Sequence, residues 1–332
     1  MNAILLAAGI GERLRPLTHV IPKALLPVAG IPVIIRNLNL LRSCGVEEVV
    51  INLYSIPDAI KKEVSAFSGI KILFSEEETI LGTAGGIKRA ANLLGKKEFI
   101  VMNVDILADV DLNDLLRFHR EKKGICTMVL RTDKNAALYG PIETDEQGKV
   151  KRFLGQPQTD EVLDTYMFTG IQVMHLDFLA GAPENSYSDI SKDVYPESVH
   201  AEKEIFGYIF RDHWVDIGLP DNYLNANRYF LEKEGREVIS SLKKKFGGAY
   251  IGPNVEIENG VEIASGSSIY SGCTIEDGVT IQNSVILHDT HICSGALITN
   301  SIIGPSTKIS AGKHLNKAIG CTVKNELLVR FY

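Results

Sequence analysis

No cysteine pair, signal segment or membrane span can be found in these 332 residues. Five scattered cysteines (Cys44, Cys126, Cys273, Cys293 and Cys321) make an odd number without CxxC spacing. That suits a reducing cytoplasm, with small buried thiols as the expectation. No apolar run approaches the roughly 20 residues that cross a bilayer. The apolar start of the chain lacks a preceding basic segment and reads as a first strand. Excess positive charge is missing as well: the formal net charge is −6, so a broad nucleic-acid surface is not expected and any basic site must be local. What remains is an ordinary globular composition, 45% hydrophobic and 23% charged, long enough for one large and one small domain.

The first two thirds alternates strand and helix signals. Asn2–Ala7 is an apolar run entering a glycine loop, and Val33–Cys44 has helical spacing and stops at Gly45. Glu48–Tyr54 and Ile70–Ser75 are short β-branched strands; Gly86–Leu94 reads as a helix, and Glu98–Ile106 as a strand ending in Asp105. Asp111–Lys123 is helical, with acids in its first turn and bases in its last. Such alternation predicts an α/β domain, a Rossmann-like and mostly parallel mixed sheet covered on both faces. Ligands of such sheets sit beyond the carboxyl ends of the strands, which places the first loop and Asp105 on one rim. Strand signals then dominate Cys126–Phe210, including Cys126–Arg131, Val150–Leu154 and Phe168–Val173, before a long polar helix over Pro220–Lys245 with Gly235 in its middle.

The last third is a repeat. Ile251, Ile257, Ile263, Ile269, Ile275 and Ile281 recur every six residues, each followed four positions later by Val255, Val261, Ser267, Cys273, Val279 or Val285. Positions four apart in extended chain point the same way, so both sets share one interior. Asn254, Gly260, Gly266, Gly272, Gly278 and Ser284 mark one turn per repeat. This is the hexapeptide signature of a parallel β-helix, with a register slip expected after Leu287. The expected layout is an α/β domain over 1–232, a linker helix over 233–248, and a β-helix with its cap over 249–332.

Chemistry concentrates in Leu5–Pro27, LLAAGIGERLRPLTHVIPKALLP. Leu14 stands where the dinucleotide fingerprint GxGxxG needs its third glycine, and no GxxxxGK[ST] occurs. The loop instead supplies Arg13, Arg15 and Lys23 beside a small-residue turn. Arginine forks two phosphate oxygens and lysine adds a movable point charge, so a phosphate chain is the expected ligand.

GIGERLRPLTHVIPKALLPV resembles the GxGxRLxPLTxxxPKxxxPV signature of the sugar-1-phosphate nucleotidylyltransferases. The similarity continues through LGTAGG (Leu81–Gly86), MNVDI (Met102–Ile106), YG (Tyr139–Gly140), TGI (Thr169–Ile171) and WVDIG (Trp214–Gly218) into a left-handed β-helix tail. Among the branches, LGTAGG and the two-domain layout are most similar to the mannose-1-phosphate guanylyltransferases. The resemblance implies attack of a sugar 1-phosphate on the α-phosphorus of a nucleoside triphosphate, giving NDP-sugar and pyrophosphate. It implies Mg²⁺ held by Asp105 and Asp216, with Arg13 and Lys23 on the phosphates. Leu6, Ala8, Gly9, Gly11, Gly82 and Thr83 would line the nucleotide, and Gly140, Gln156, Thr169 and Gly170 the sugar phosphate. GTP with mannose 1-phosphate is the favoured pair, with uridylyl or thymidylyl transfer to another hexose or amino-sugar phosphate as the rival. A cytoplasmic homo-oligomer, assembled through the β-helix, is expected.

Three positions depart from the pattern: Val104 for glycine, Leu219 for threonine, and Gln156 for the lysine that grips the sugar phosphate. Glutamine donates hydrogen bonds but carries no charge; Lys151 and Arg152 are the nearby cations that could replace it. These departures motivate a second reading, a catalytically degenerate subunit that binds NDP-sugar. Acyl transfer on the β-helix is a third, with His288, His291 and His314 as its only bases. His288, His291 and Cys293 also form HxxHxC, for which turn and core positions are expected rather than metal. The run Lys243–Lys245 reads as a solvated helix end.

Overall fold

The computed structural model describes residues 1–95, 97–133, 136, 140–158, 161–183, 186–234 and 246–332. Tyr139, Gly235, the run Lys243–Lys245 and most of the expected linker helix lie outside them. The chain divides into two compact units, Met1–Gly9 with Ile34–Trp214, and Ile10–Val33 with Val215–Tyr332.

The first unit is built on a nine-stranded mixed sheet. At its centre Asn2–Leu6 pairs in parallel with Glu48–Leu53 on one side and Glu98–Asn103 on the other, and Glu48–Leu53 pairs with Lys71–Glu76. The three central segments are short, largely apolar and buried on both faces, whereas the edge strand Lys71–Glu76 is mostly half-buried with exposed charged ends. Ile4, Val50 and Phe99 are completely buried in one core, each worth about 1.5–3 kcal/mol of apolar burial. The direction changes at Asp164–His175, which runs antiparallel to both Glu98–Asn103 and Cys126–Arg131. That strand is longer at both ends than the Phe168–Val173 expected from apolar residues, because its pairing continues through polar Asp164 and Thr165.

Helices cover the sheet. In the helix Leu112–Lys122, Asp111 is the N-cap and its side chain accepts from the amides of Asn113 and Asp114, a cap worth about 1 kcal/mol. The helix expected over Gly86–Leu94 instead spans Gly82–Ala91. It starts earlier because its glycines serve close packing rather than chain breaking. A Cβ on Gly85 would come within 2.8 Å of the Ser186 carbonyl, and one on Gly86 within 2.8 Å of Glu77 Oε1.

In the second unit, the repeat winds into a β-helix of three stacked parallel sheets. Ile275 pairs with Ile292 and Ile292 with Ile309, and the other two faces repeat this stacking. These isoleucines fill one interior with Val261, Val279, Cys273 and Ala296. The register slip comes earlier than Leu287. Ile281 is followed by Ile286, and Ile298 by Ile303, so one corner of each later coil is a residue shorter. Asn283, Asn300 and Lys317 turn this corner with positive φ, and Asn283 donates to Asn300 at 2.8 Å. Buried Ser284 and Ser301 fall inside the shortened corner, and Ser284 Oγ accepts from the Ser301 amide. The last strand, Glu326–Phe331, turns back antiparallel on Ala318–Val323 and closes the stack. The helix Pro220–Glu234 belongs to this unit too. No helix among the described residues is long and apolar enough to cross a membrane.

Candidate active site

In the first unit, three parallel strands end side by side: Leu6 is in register with Asn52 and with Asn103. The loop that leaves Leu6 is held from below. Asn52 Oδ1 accepts from the Ala7 amide at 2.7 Å, and Asn52 Nδ2 donates to Glu77 Oε1 at 2.9 Å. Glu77 is buried, and its second oxygen accepts from the Leu81 amide at 2.9 Å. The chain at Ala7 and the chain entering LGTAGG are thus tied to one carboxylate. Ala8 is half-buried and Gly9 exposed, with open space where a Cβ would stand.

Asp105 follows a residue pinned at both ends: the Val104 amide donates to Leu6 O at 3.0 Å, and Val104 O accepts from Asn37 Nδ2 at 2.8 Å. Val104 is 3% exposed, so the position that departs from the pattern packs as core. The half-buried Asp105 carboxylate therefore leaves a fixed turn at the carboxyl end of the sheet.

Gly82 opens its helix with φ +71° and a Cβ there would lie 2.4 Å from the Ser188 carbonyl. That carbonyl accepts from the amides of Ala84 and Gly85, and Thr83 Oγ1 accepts from the Ile190 amide at 3.0 Å. Thr169 is buried and its hydroxyl donates to Val129 O at 2.8 Å, while Trp214 Nε1 donates to Thr169 O at 2.9 Å. Beside it, Gly170 lets Asn103 approach: a Cβ would meet Asn103 Nδ2 at 2.9 Å. Gly140 packs against Leu154, and exposed Gln156 closes the same hairpin through paired backbone bonds with Phe153. The neighbouring cations are engaged, Lys151 with Asp145 at 3.9 Å and Arg152 with Glu143 at 3.3 Å.

In the second unit, the signature loop and the WVDIG segment meet. Gly11 takes φ +66°, caps the turn Glu12–Leu14, and accepts from the Thr18 hydroxyl at 2.8 Å. A Cβ on it would meet Thr18 Cγ2 at 2.8 Å, with Lys23 Cβ at 3.5 Å. Half-buried Lys23 opens the next turn after Pro22. Arg13 Nη2 lies 3.5 Å from Asp216 Oδ2, and the Gly218 amide donates to Asp216 Oδ1 at 2.6 Å. A Cβ on Gly218 would stand 2.6 Å from Arg13 Nη2, so a larger residue there would make the guanidinium tip shift. Arg13 is 56% exposed and Asp216 26%. A pair of that exposure is worth only about 0.2–1 kcal/mol, so it holds neither group firmly. Asp105 and Asp216 supply carboxylate oxygens, each with several lone pairs, a donor chemistry that fits a hard divalent cation.

The loop is also clamped at its exit. Pro27 O accepts from Tyr223 Oη at 2.7 Å and Tyr270 Oη at 3.0 Å, and Asn227 Oδ1 accepts from the Ala29 amide at 3.0 Å. The Arg330 guanidinium of the last strand donates to Arg13 O. Burial pushes the Tyr223 phenol well above its ordinary range, so it stays a neutral donor. Sequence reasoning missed Asn37, Asn52, Glu77, Tyr223, Asn227, Tyr270 and Arg330. Asn37 and Asn52 carried a usable signal, a polar residue within an apolar helix face and at the end of an apolar strand.

A family model described as nucleotidyl transferase matches residues 2–233. The chain belongs to the nucleotidyl transferase family. A second model, the GMPPB C-terminal domain, matches residues 246–331. Among relatives, a UTP–glucose-1-phosphate uridylyltransferase of Synechocystis is 32% identical, covering 95% of this chain and 86% of its own length. A probable mannose-1-phosphate guanylyltransferase 2 of Arabidopsis thaliana is 30% identical, covering 92% and 86%. The mannose-1-phosphate guanylyltransferase of Mycobacterium tuberculosis is also 30% identical, over 68% of this chain and 64% of its own. The crystal structure of HddC from Yersinia pseudotuberculosis superposes with a TM-score of 0.59 at 22% identity, covering 69% of this chain and 99% of HddC, a likeness of fold. The chain is a nucleotidyltransferase enzyme, and its family handles nucleotide and sugar phosphate.

Proposed function

We propose that the enzyme transfers guanylyl from GTP to mannose 1-phosphate, releasing pyrophosphate. The observation that carries this reading is Arg13 of the signature loop at 3.5 Å from Asp216, in a chain whose tail matches the GMPPB C-terminal domain. In the proposed reaction a phosphate oxygen of the sugar 1-phosphate attacks the α-phosphorus, and the bond to the bridging oxygen of the leaving pyrophosphate breaks. A phosphate nucleophile is already ionised, so no general base is required. The obstacle is repulsion between anions, about 1 kcal/mol per pair of unit charges at 4 Å in water and several times more in a drier cleft.

Arg13 would answer it by leaving Asp216 for the departing pyrophosphate, where a fork of N–H donors matches two oxygens. Lys23 would hold phosphates of both substrates. Ala8, Gly9 and Gly11 would admit the nucleotide close to the backbone beyond Leu6, and Gly82 and Thr83 would border base and ribose. Gly140, Gln156, Thr169 and Gly170 would form the sugar-phosphate side; Thr169 would act through its backbone, its hydroxyl being engaged by Val129. Asp105 and Asp216 would hold Mg²⁺, which when bound supplies charge neutralisation for the polyphosphate. We assign the enzyme to the cytoplasm, in keeping with five free cysteines, and to a homo-oligomer associating through the β-helix edge, where Leu327, Leu328 and Phe331 are exposed. Size-exclusion chromatography of Leu328→Lys checks the latter; an unchanged elution volume contradicts it.

A second reading has its own observation. The Synechocystis relative, 32% identical over 95% of the chain, is named for uridylyl transfer to glucose 1-phosphate. A matrix of four nucleoside triphosphates against several sugar 1-phosphates, read by pyrophosphate release with Mg²⁺, separates the two. Highest turnover with GTP and mannose 1-phosphate supports the first reading, and preference for UTP and glucose 1-phosphate overturns it.

A further inference from the structure

The HxxHxC segment of the β-helix is divided by its fold. His288 Nδ1 is within 2.9 Å of Ser271 Oγ, and its ring packs edge-on against Tyr270. His291 and Cys293 turn elsewhere. They flank the interior residue Ile292, so both side chains leave the coil on its outer side. Ile275 lies in register with Ile292 one coil earlier, so the residue after it, Glu276, falls beside Cys293. A nitrogen, a sulfur and a carboxylate oxygen are thereby gathered from two consecutive coils.

We propose that Glu276, His291 and Cys293 form a binding site for a borderline divalent transition-metal ion of the Zn²⁺ class. Their ligand atoms all lie within 4.8 Å of one another, and His291 Nε2 is 2.5 Å from Glu276 Oε1. A mixed N, S and O donor set suits zinc and not Mg²⁺, which takes hard oxygen ligands. The carboxylate is oriented from behind: Glu276 Oε2 accepts from both the amide and the hydroxyl of Ser294 at 2.8 Å. Fixed outer partners of this kind are what aim a metal ligand. Because the coils are locked by their ladders, the donors need only side-chain rotation to close on an ion. Cys293 is 8% exposed, whereas the side chains of His291 and Glu276 are 37% and 27% exposed, which leaves an entry path and a fourth position for water. Binding displaces the proton between His291 and Glu276 and the thiol proton of Cys293, both going to solvent. The bound ion would staple two adjacent coils.

Cobalt(II) titration of the metal-free full-length chain tests this, because thiolate ligation gives a near-ultraviolet charge-transfer band. The band is expected in the wild type, saturating at a single equivalent, displaced by Zn²⁺ and not by Mg²⁺. It disappears in Cys293→Ser, and is lost or strongly reduced in His291→Gln and Glu276→Gln, whose side chains face solvent and leave the core intact. Added Zn²⁺ raises the melting temperature of the wild type and of none of the three variants. Absence of the band in the wild type overturns the site. So does its persistence in both His291→Gln and Glu276→Gln, which would leave a thiol acting alone.

Discussion

In the β-helix, Ile275 lies over Ile292 and Ile292 over Ile309, and the environment of each residue follows from its place in the repeat. In the sheet unit, Asn52 reaches Ala7 across 45 positions and Glu77 across 25, and no repeat announces either contact. The difference separates two kinds of specification. Stacked coils define themselves through near neighbours, whereas the rim of the sheet depends on a few buried polar groups, each of which must be satisfied. The signature loop joins the two kinds: Ile10–Val33 belongs with the β-helix unit, yet distant polar groups, Tyr270 and Arg330 of the β-helix, hold its backbone. The tail is thus part of what shapes the signature loop.

The comparison breaks most visibly at Arg13. Arg13→Met should lower kcat/KM for pyrophosphate release by about 100-fold or more, as removal of a preorganised transition-state donor does, with an unchanged melting temperature because the pair it loses is exposed. A variant that melts much lower would mean that Arg13 serves the fold. Next comes Gly82→Ala in the sheet unit. Its Cβ would stand 2.4 Å from the Ser188 carbonyl at a backbone conformation that alanine dislikes. A loss of about 1–3 kcal/mol in urea unfolding is expected; a smaller change would show that the 188 segment yields easily. The mildest test is Tyr270→Phe, which leaves Pro27 O with Tyr223 but strips the Gly30 amide of its partner at 3.2 Å. About 1–2 kcal/mol of stability should go, together with a raised KM for the nucleotide. An unchanged KM would separate the clamp from the loop's function.

How much of this was legible follows the same divide. Six isoleucines at a spacing of six revealed the β-helix, because interior positions recur locally. The short corner at Asn283 did not show, since Val285 continued the apparent period while Ser284 took the interior place. In the sheet unit the parallel strands were readable from apolar runs, yet the helix Gly82–Ala91 was expected to start only at Gly86, four residues late, and Gly85 and Gly86 prove to be packing surfaces within it. Arg13, Lys23, Asp105 and Asp216 were named through the resemblance. Glu77 and Asn52, which fix the chain at Ala7, were not, because a buried carboxylate is recognisable only once its partners are in place.

The proposed role of Asp216 is the most exposed point of the account. Pyrophosphate release with Mg²⁺, GTP and mannose 1-phosphate should be robust for the intact chain and fall by about 100-fold or more in Asp216→Asn, while the variant keeps the wild-type melting temperature. Turnover near the wild-type level in folded Asp216→Asn would contradict the account.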